Sequence, residues 1–245
     1  MKTKKILPYT AFLLLVLSSS FACIDSDGYS INDFRISIAT VIPEGEISYS
    51  LLLDNGDKLW PATADVRYTP QKGQRVFVNY TILSDEMDNY KYYIKVNDIW
   101  NILTKPVINL TKANVDSIGN DPVIIKDIWI GNDYLNIGFS FNYGGDKPHA
   151  INLVRNEIKT DKDANVLELE FRHNSYNSTS TTFYDGFACF DLKPFKDEQK
   201  ESLPIRLIMQ TTGGTKEYEL LYNYNELNKN RLEANIPAIT SNEYI

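Results

Sequence analysis

Histidine and cysteine are scarce in this 245-residue sequence, with two of each, and basic residues are outnumbered by acidic ones, 25 against 32. Neither His149 nor His173 stands in an H-E-x-x-H spacing, so no metal site is expected. Also missing are a G-x-S-x-G elbow, a P-loop and a dinucleotide fingerprint, and no cofactor is expected either. No apolar run approaches the roughly 20 residues that a membrane-crossing helix needs. Long stretches of helical period are absent too.

What is present begins with a patterned N-terminus. Lys2, Lys4 and Lys5 precede an apolar run from Ile6 to Leu17 and a small polar segment, Ser18 to Ser20, which reads as a cleavable export signal over residues 1–22. A cut after Ala22 fits two peptidases. Ser20 and Ala22 satisfy the small-x-small rule of an ordinary secretory signal, whereas "SFAC" resembles a lipobox, in which Cys23 takes a diacylglycerol and becomes the new N-terminus. The position of Cys23, directly behind the export run, favours lipidation and a membrane attachment through the N-terminal lipid. The other reading pairs Cys23 with Cys189 in an oxidising compartment. Under lipidation Cys189, in the strand-like "YDGFACFDL", is expected to be buried and inert. Residues 23–29 form a short acidic tether. Asp25, Asp27 and Gly28 mimic part of a calcium loop, but Phe34 stands where its bidentate Glu belongs.

Removal of residues 1–22 takes away three lysines and no acid, so the net charge of −7 becomes −10. Such a body disfavours nucleic acid, whose binding depends on Lys and Arg neutralising phosphates, and no nucleic-acid partner is expected.

Sixteen Tyr, eleven Phe and many β-branched residues point to an all-β protein. Residues 30–109 carry five candidate strands: Phe34–Ile42, Ile47–Asp54, Lys58–Ala62, Gln74–Leu83 and Tyr90–Leu103. "DNGD" (Asp54 to Asp57) predicts a type I′ hairpin turn. Five strands in so short a span suit a five-stranded Greek-key barrel of OB type. Residues 110–121 read as an exposed linker, rich in Asn and Asp. Residues 122–245 hold seven candidate strands and are expected to form a seven-stranded β-sandwich: Val123–Gly131, Tyr134–Tyr143, His149–Asn156, Val166–His173, Phe183–Leu192, Pro204–Thr211 and Lys216–Tyr224. In the second of these, Leu135, Ile137, Phe139, Phe141 and Tyr143 share a face expected to be apolar, while Asn136, Ser140 and Asn142 mark the wet one.

An export signal ending in cysteine, an acidic tether, a first unit carrying "LLLDNGDKLWP" and "GQRVFVNYTIL", and a strand-rich second unit together resemble the NigD-like lipoproteins. The resemblance covers essentially the whole mature chain and implies an N-terminal OB domain followed by a C-terminal β-sandwich. It implies no enzymatic activity and no ligand, since the family has none established; its name comes from a bacteriocin gene cluster. The acidic tether resembles that of surface-exposed lipoproteins of one group of gut and oral Gram-negative bacteria. "DSI" (Asp116 to Ile118) matches the short pattern that the same group uses for O-glycosylation, which makes Ser117 a candidate site.

Candidate contact residues come from two places. In "YKYYIKV", Lys91, Tyr93 and Lys95 lie opposite Tyr92, Ile94 and Val96, and an aromatic between two lysines can hold a sugar or a peptide, although a solvated barrel exterior has the same pattern. In the loop-like "HNSYNSTSTTFYDG", Tyr176 and Tyr184 are set among Ser, Thr and Asn, as in loops that touch partners. The usual OB groove is bounded by the loops after strands one and four, here "PEGE" and "SDEMDN", whose acids repel a phosphate backbone. A Cys189 nucleophile with His173 as base is conceivable, against the plainer reading of a buried thiol and a strand-end imidazole.

These features point to a lipid-anchored protein of the cell envelope, expected at the outer membrane and on the cell surface, that acts through binding or assembly with an envelope protein or a glycan and is not an enzyme. The alternatives are a bacteriocin-associated protective, immunity-type lipoprotein and a cryptic hydrolase whose carboxylates hide among solvated acids.

Overall fold

Alternation of apolar and polar residues becomes fourteen strands among the described residues of the computed structural model, which are 33–144, 147–161, 163 and 165–224. Cys23 and the signal segment lie outside the described residues.

The first five strands are β1 (Arg35–Pro43), β2 (Tyr49–Leu53), β3 (Lys58–Ala64), β4 (Arg75–Ser84) and β5 (Tyr92–Asn101). They close into a barrel of order β1-β2-β3-β5-β4, as the OB reading requires. Closure follows from the pleat: Val76, Val78, Tyr80 and Ile82 on β4 meet Ile94 and Val96 on β5 and Leu51 and Leu59 across the interior, all buried. Tyr92 packs against that interior from its edge, while Tyr93 and Lys95 point outward. The β2–β3 turn differs from the type I′ expectation. Only Gly56 takes a positive φ, 89°, and Gly56 N donates to Leu53 O while Leu53 N donates to Asp57 O. That is the longer hairpin with a glycine bulge, and the Asp54 side chain leaves it toward the second half of the molecule.

The boundary differs from the expected 110–121. Leu103–Pro106 (β6) and Ile108–Leu110 (β7) pair in parallel with β12 (Phe183–Asp191) and with β10 (Ala150–Asn156) respectively, so one short segment feeds both sheets of the sandwich. Pro106 sits where the chain crosses between them, and strands of four and three residues are too short to show a period. Residues 111–119 then form a turn and a one-turn helix, α1 (Val115–Ile118), whose Ile118 is buried with Leu110 and Val154.

With β8 (Ile124–Gly131), β9 (Tyr134–Asn142), β11 (Leu167–Asn174), β13 (Ser202–Thr211) and β14 (Gly214–Asn223), the sandwich has a five-stranded sheet, β14-β13-β11-β10-β7, and a four-stranded sheet, β6-β12-β9-β8. The sandwich thus has nine strands among the described residues, the seven expected and the two short ones. Leu135, Ile137, Phe139 and Phe141 interdigitate with Ile151, Leu153, Leu169 and Phe171 between the sheets.

The face of β9 expected to be wet is instead partly covered by the barrel. Asn136 is fully buried and Ser140 nearly so. On this side of the four-stranded sheet Trp129, Tyr134, Phe187 and Cys189 pack with Phe77 and Ile102 of the first half. Arg75, also fully buried, lies at the seam, bonded to Asp54, Thr40 and Asn136. The described residues form one compact unit.

Candidate functional site

The outward residues of β3 and β5 build an aromatic surface beside the loop between β4 and β5. Parallel pairing sets Trp60 opposite Tyr93. Tyr90 precedes β5 in a tight turn, where Met87 and Tyr90 exchange backbone hydrogen bonds of 3.2 and 3.1 Å and Asp88 adopts φ 56°. The rings then meet: Trp60 and Tyr90 have centroids 5.1 Å apart, and Tyr90 and Tyr93 lie edge to face at 6.0 Å. Tyr93 OH donates to Asp88 Oδ2 at 3.0 Å, which ties the platform to the loop.

The rim is acidic. Desolvation raises the Tyr90 pKa, and the charges of Glu44, from the β1–β2 loop, and of Asp88 add to it. Lys91 lies 3.8 Å from Glu86, and Lys95 is paired with Asp65 at 2.7 Å. The two lysines singled out in the sequence are therefore engaged with carboxylates, while the rings stay partly accessible. Exposed Met87 and Ile47 stand at the tips of the two bounding loops. Trp60 and Tyr90 were not singled out in the sequence; the signal that finds them is parallel β3–β5 pairing, which is not encoded in either strand alone.

Tyr176 and Tyr184 belong to the sandwich. Tyr176, at φ 51°, lies under the Lys147 ammonium, 3.3 Å from the ring centroid, and Tyr184 packs edge to face on Tyr143 at 5.5 Å. The five contact candidates thus fall into a barrel group and a sandwich group. Ser117 is exposed in α1, with its hydroxyl donating to Asn114 O at 2.9 Å.

The structure separates Cys189 from His173. Cys189 faces the barrel and donates to Asn136 Oδ1 at 3.0 Å, a free thiol whose pKa burial pushes up to about 12 against the opposing pull of Arg75. His173 is instead joined to the other histidine: His149 Nδ1 and His173 Nε2 are 2.9 Å apart, both residues almost fully buried. Burial, followed by the neighbouring His149, lowers the His173 pKa to about 4, so the pair is neutral at pH 7. A thiol that resists ionisation and lacks this imidazole is no nucleophile.

Comparison with known proteins agrees with this architecture. Residues 38–102 match the NigD-like N-terminal OB domain, and residues 106–222 match the NigD-like C-terminal β-sandwich domain. Among solved structures, a protein called toxin-related from Parabacteroides distasonis is 42% identical, with 79% of this chain and 95% of that one covered and a TM-score of 0.70. A protein of unknown function from Bacteroides vulgatus is 30% identical, with 83% and 96% covered and a TM-score of 0.71. A NigD-like immunity protein from Bacteroides caccae has the same fold at 18% identity, with 80% and 100% covered and a TM-score of 0.62. No curated protein matches the chain.

Proposed function

The chain belongs to the NigD-like family, and from that premise we propose that it is an envelope protein, lipid-anchored through Cys23, that acts by binding a polypeptide partner at the aromatic face of its barrel. The observation that carries this reading is the Trp60–Tyr90–Tyr93 cluster braced by Asp88. Aromatic faces attract cations, and the Glu44, Glu86 and Asp88 carboxylates around them favour the same sign of charge. The partner is therefore one that presents Lys or Arg side chains, and complementary charge speeds its encounter. Membrane attachment confines the search to the envelope.

A protective, immunity-type role is the second reading. It is supported by the relatives called toxin-related and NigD-like immunity protein, and it makes the basic partner a toxin. Pull-down from detergent-solubilised envelopes tests the binding reading. The expected result is a specific basic partner that the unaltered chain retains and a Trp60→Ala, Tyr93→Ala double variant loses. Equal recovery by both, or no partner, would overturn it.

A further inference from the structure

A second feature of the sandwich lies apart from the barrel face. A cavity of about 190 Å³ opens at one end, between the start of β8, the end of β9, the loop after β11 and the start of β12. Its wall holds one carboxylate, Asp121, several hydroxyls, the Asn142 amide, the His173 imidazole and the ring of Phe183, and no lining residue is a Lys or Arg. An anion finds no counter-charge there.

The polar wall is preorganised. Ser175 N and Ser175 Oγ both donate to Asp121 Oδ2, at 2.7 and 2.6 Å, which fixes the carboxylate and leaves Oδ1 without a hydrogen bond among the described residues. Burial raises the Asp121 pKa, but these bonds and the nearby histidines outweigh it and hold the group below the usual carboxylate range, so it is an acceptor at neutral pH. His173 Nε2 is taken by His149 and His173 Nδ1 lies buried beside the backbone carbonyls of Asp121 and Pro122, so the imidazole is held as a fixed part of the cavity wall. At the mouth, Phe183 is 58% exposed and offers a flat apolar face.

Fixed acceptors, hydroxyls, no cationic side chain and an exposed aromatic ring are the chemistry that recognises a polyhydroxylated ring with an apolar face. The volume lies below the roughly 300 Å³ at which drug-sized pockets begin, which restricts the occupant to one ring. We propose that this cavity binds a single neutral pyranose unit, stacked on Phe183 by its C–H face and hydrogen-bonded to Asp121 and its neighbours. This site is independent of the barrel face and of its partner.

Saturation-transfer NMR on the mature chain tests it with methyl glycosides of glucose, galactose, mannose and N-acetylglucosamine, and with methyl glucuronide and glucosamine as charged controls. The expected result is transfer to at least one neutral glycoside. Phe183→Ala and Asp121→Asn should each weaken it roughly tenfold, the scale of one lost stacking or charge-assisted contact. Phe183→Ala should do so at unchanged melting temperature and Asp121→Asn at a lower one, since the charge-assisted bonds from Ser175 are lost, with the folded state at the measuring temperature checked by circular dichroism. Trp60→Ala should leave it intact, so failure here and failure of the barrel reading are distinguishable. No transfer to any neutral glycoside, transfer to a charged control alone, or binding unchanged in both cavity variants would overturn the proposal.

Discussion

Arg75 of the barrel donates a 3.2 Å hydrogen bond to Asn136 of the sandwich. The same guanidinium is paired with Asp54 at 2.8 Å, and Asp54 in turn accepts from the Trp129 indole at 3.1 Å. A buried charge survives only where its partners are in place, and removal of one partner strands the other. Arg75→Ala should therefore cost about 3–5 kcal/mol, read from urea unfolding. Gly131→Ala attacks the same clamp sterically, since a Cβ there would come within 2.5 Å of Asp54 Oδ2. Both variants should split one cooperative transition into two, with barrel and sandwich melting separately. A single transition in Arg75→Ala, shifted by less than about 1 kcal/mol, would show that the apolar seam alone joins the halves.

Cys189 is fully buried and its thiol is held far from ionisation. A thiol-specific reagent should label the native protein only at the rate of global unfolding, and at once in denaturant. Cys189→Ala should lower stability by about 1–2 kcal/mol through the cavity it leaves, with both proposed binding activities intact. Rapid labelling of the folded chain would place the sulfur in solvent and refute the packing described for it.

The strands were largely legible because alternation reports a pleat. Leu135, Ile137, Phe139 and Phe141 turn inward as their spacing predicts. Which polar face meets solvent was not legible: Asn136 looks like any outward Asn until the barrel supplies Arg75 as its partner, a contact 61 residues away in sequence. The same limit applies to the boundary, since Leu103–Pro106 and Ile108–Leu110 are strands only because β12 and β10 present edges to them. For the candidate site, Tyr93 could be singled out from its place between two lysines, whereas Trp60 and Tyr90 join it only through β3–β5 pairing and the loop that Asp88 turns. The histidine pair was invisible for a related reason, as 24 residues separate two side chains that touch.

Cys23 is the expected point of attachment to the membrane. In cells fed a labelled fatty acid, the protein should take up label and fractionate with membranes, because two or three acyl chains together make a stable anchor where one does not. Cys23→Ser should abolish the label and either release the protein or leave its signal uncut. Retention and processing unchanged by that substitution would exclude the lipid.

The histidine pair predicts how stability depends on pH. His173 titrates near 4 in the folded chain, against an ordinary value of 6.5, because burial and the adjoining His149 disfavour its charged form. His149 is lowered as well, mainly by burial. An unfolded chain thus binds protons on these rings before the folded one does. Stability is fully present above about pH 6.5 and is lost as pH falls from there toward 4, by up to about 3 kcal/mol for a shift of this size. The carboxylates with depressed values, Asp121 and Glu170, act below the ordinary carboxylate range and add their loss at lower pH. Urea midpoints measured between pH 7.5 and 4 should fall in the unaltered chain and flatten in a His149→Phe, His173→Gln double variant, which has no ring to protonate there. An equally steep fall in that variant would assign the dependence to other groups.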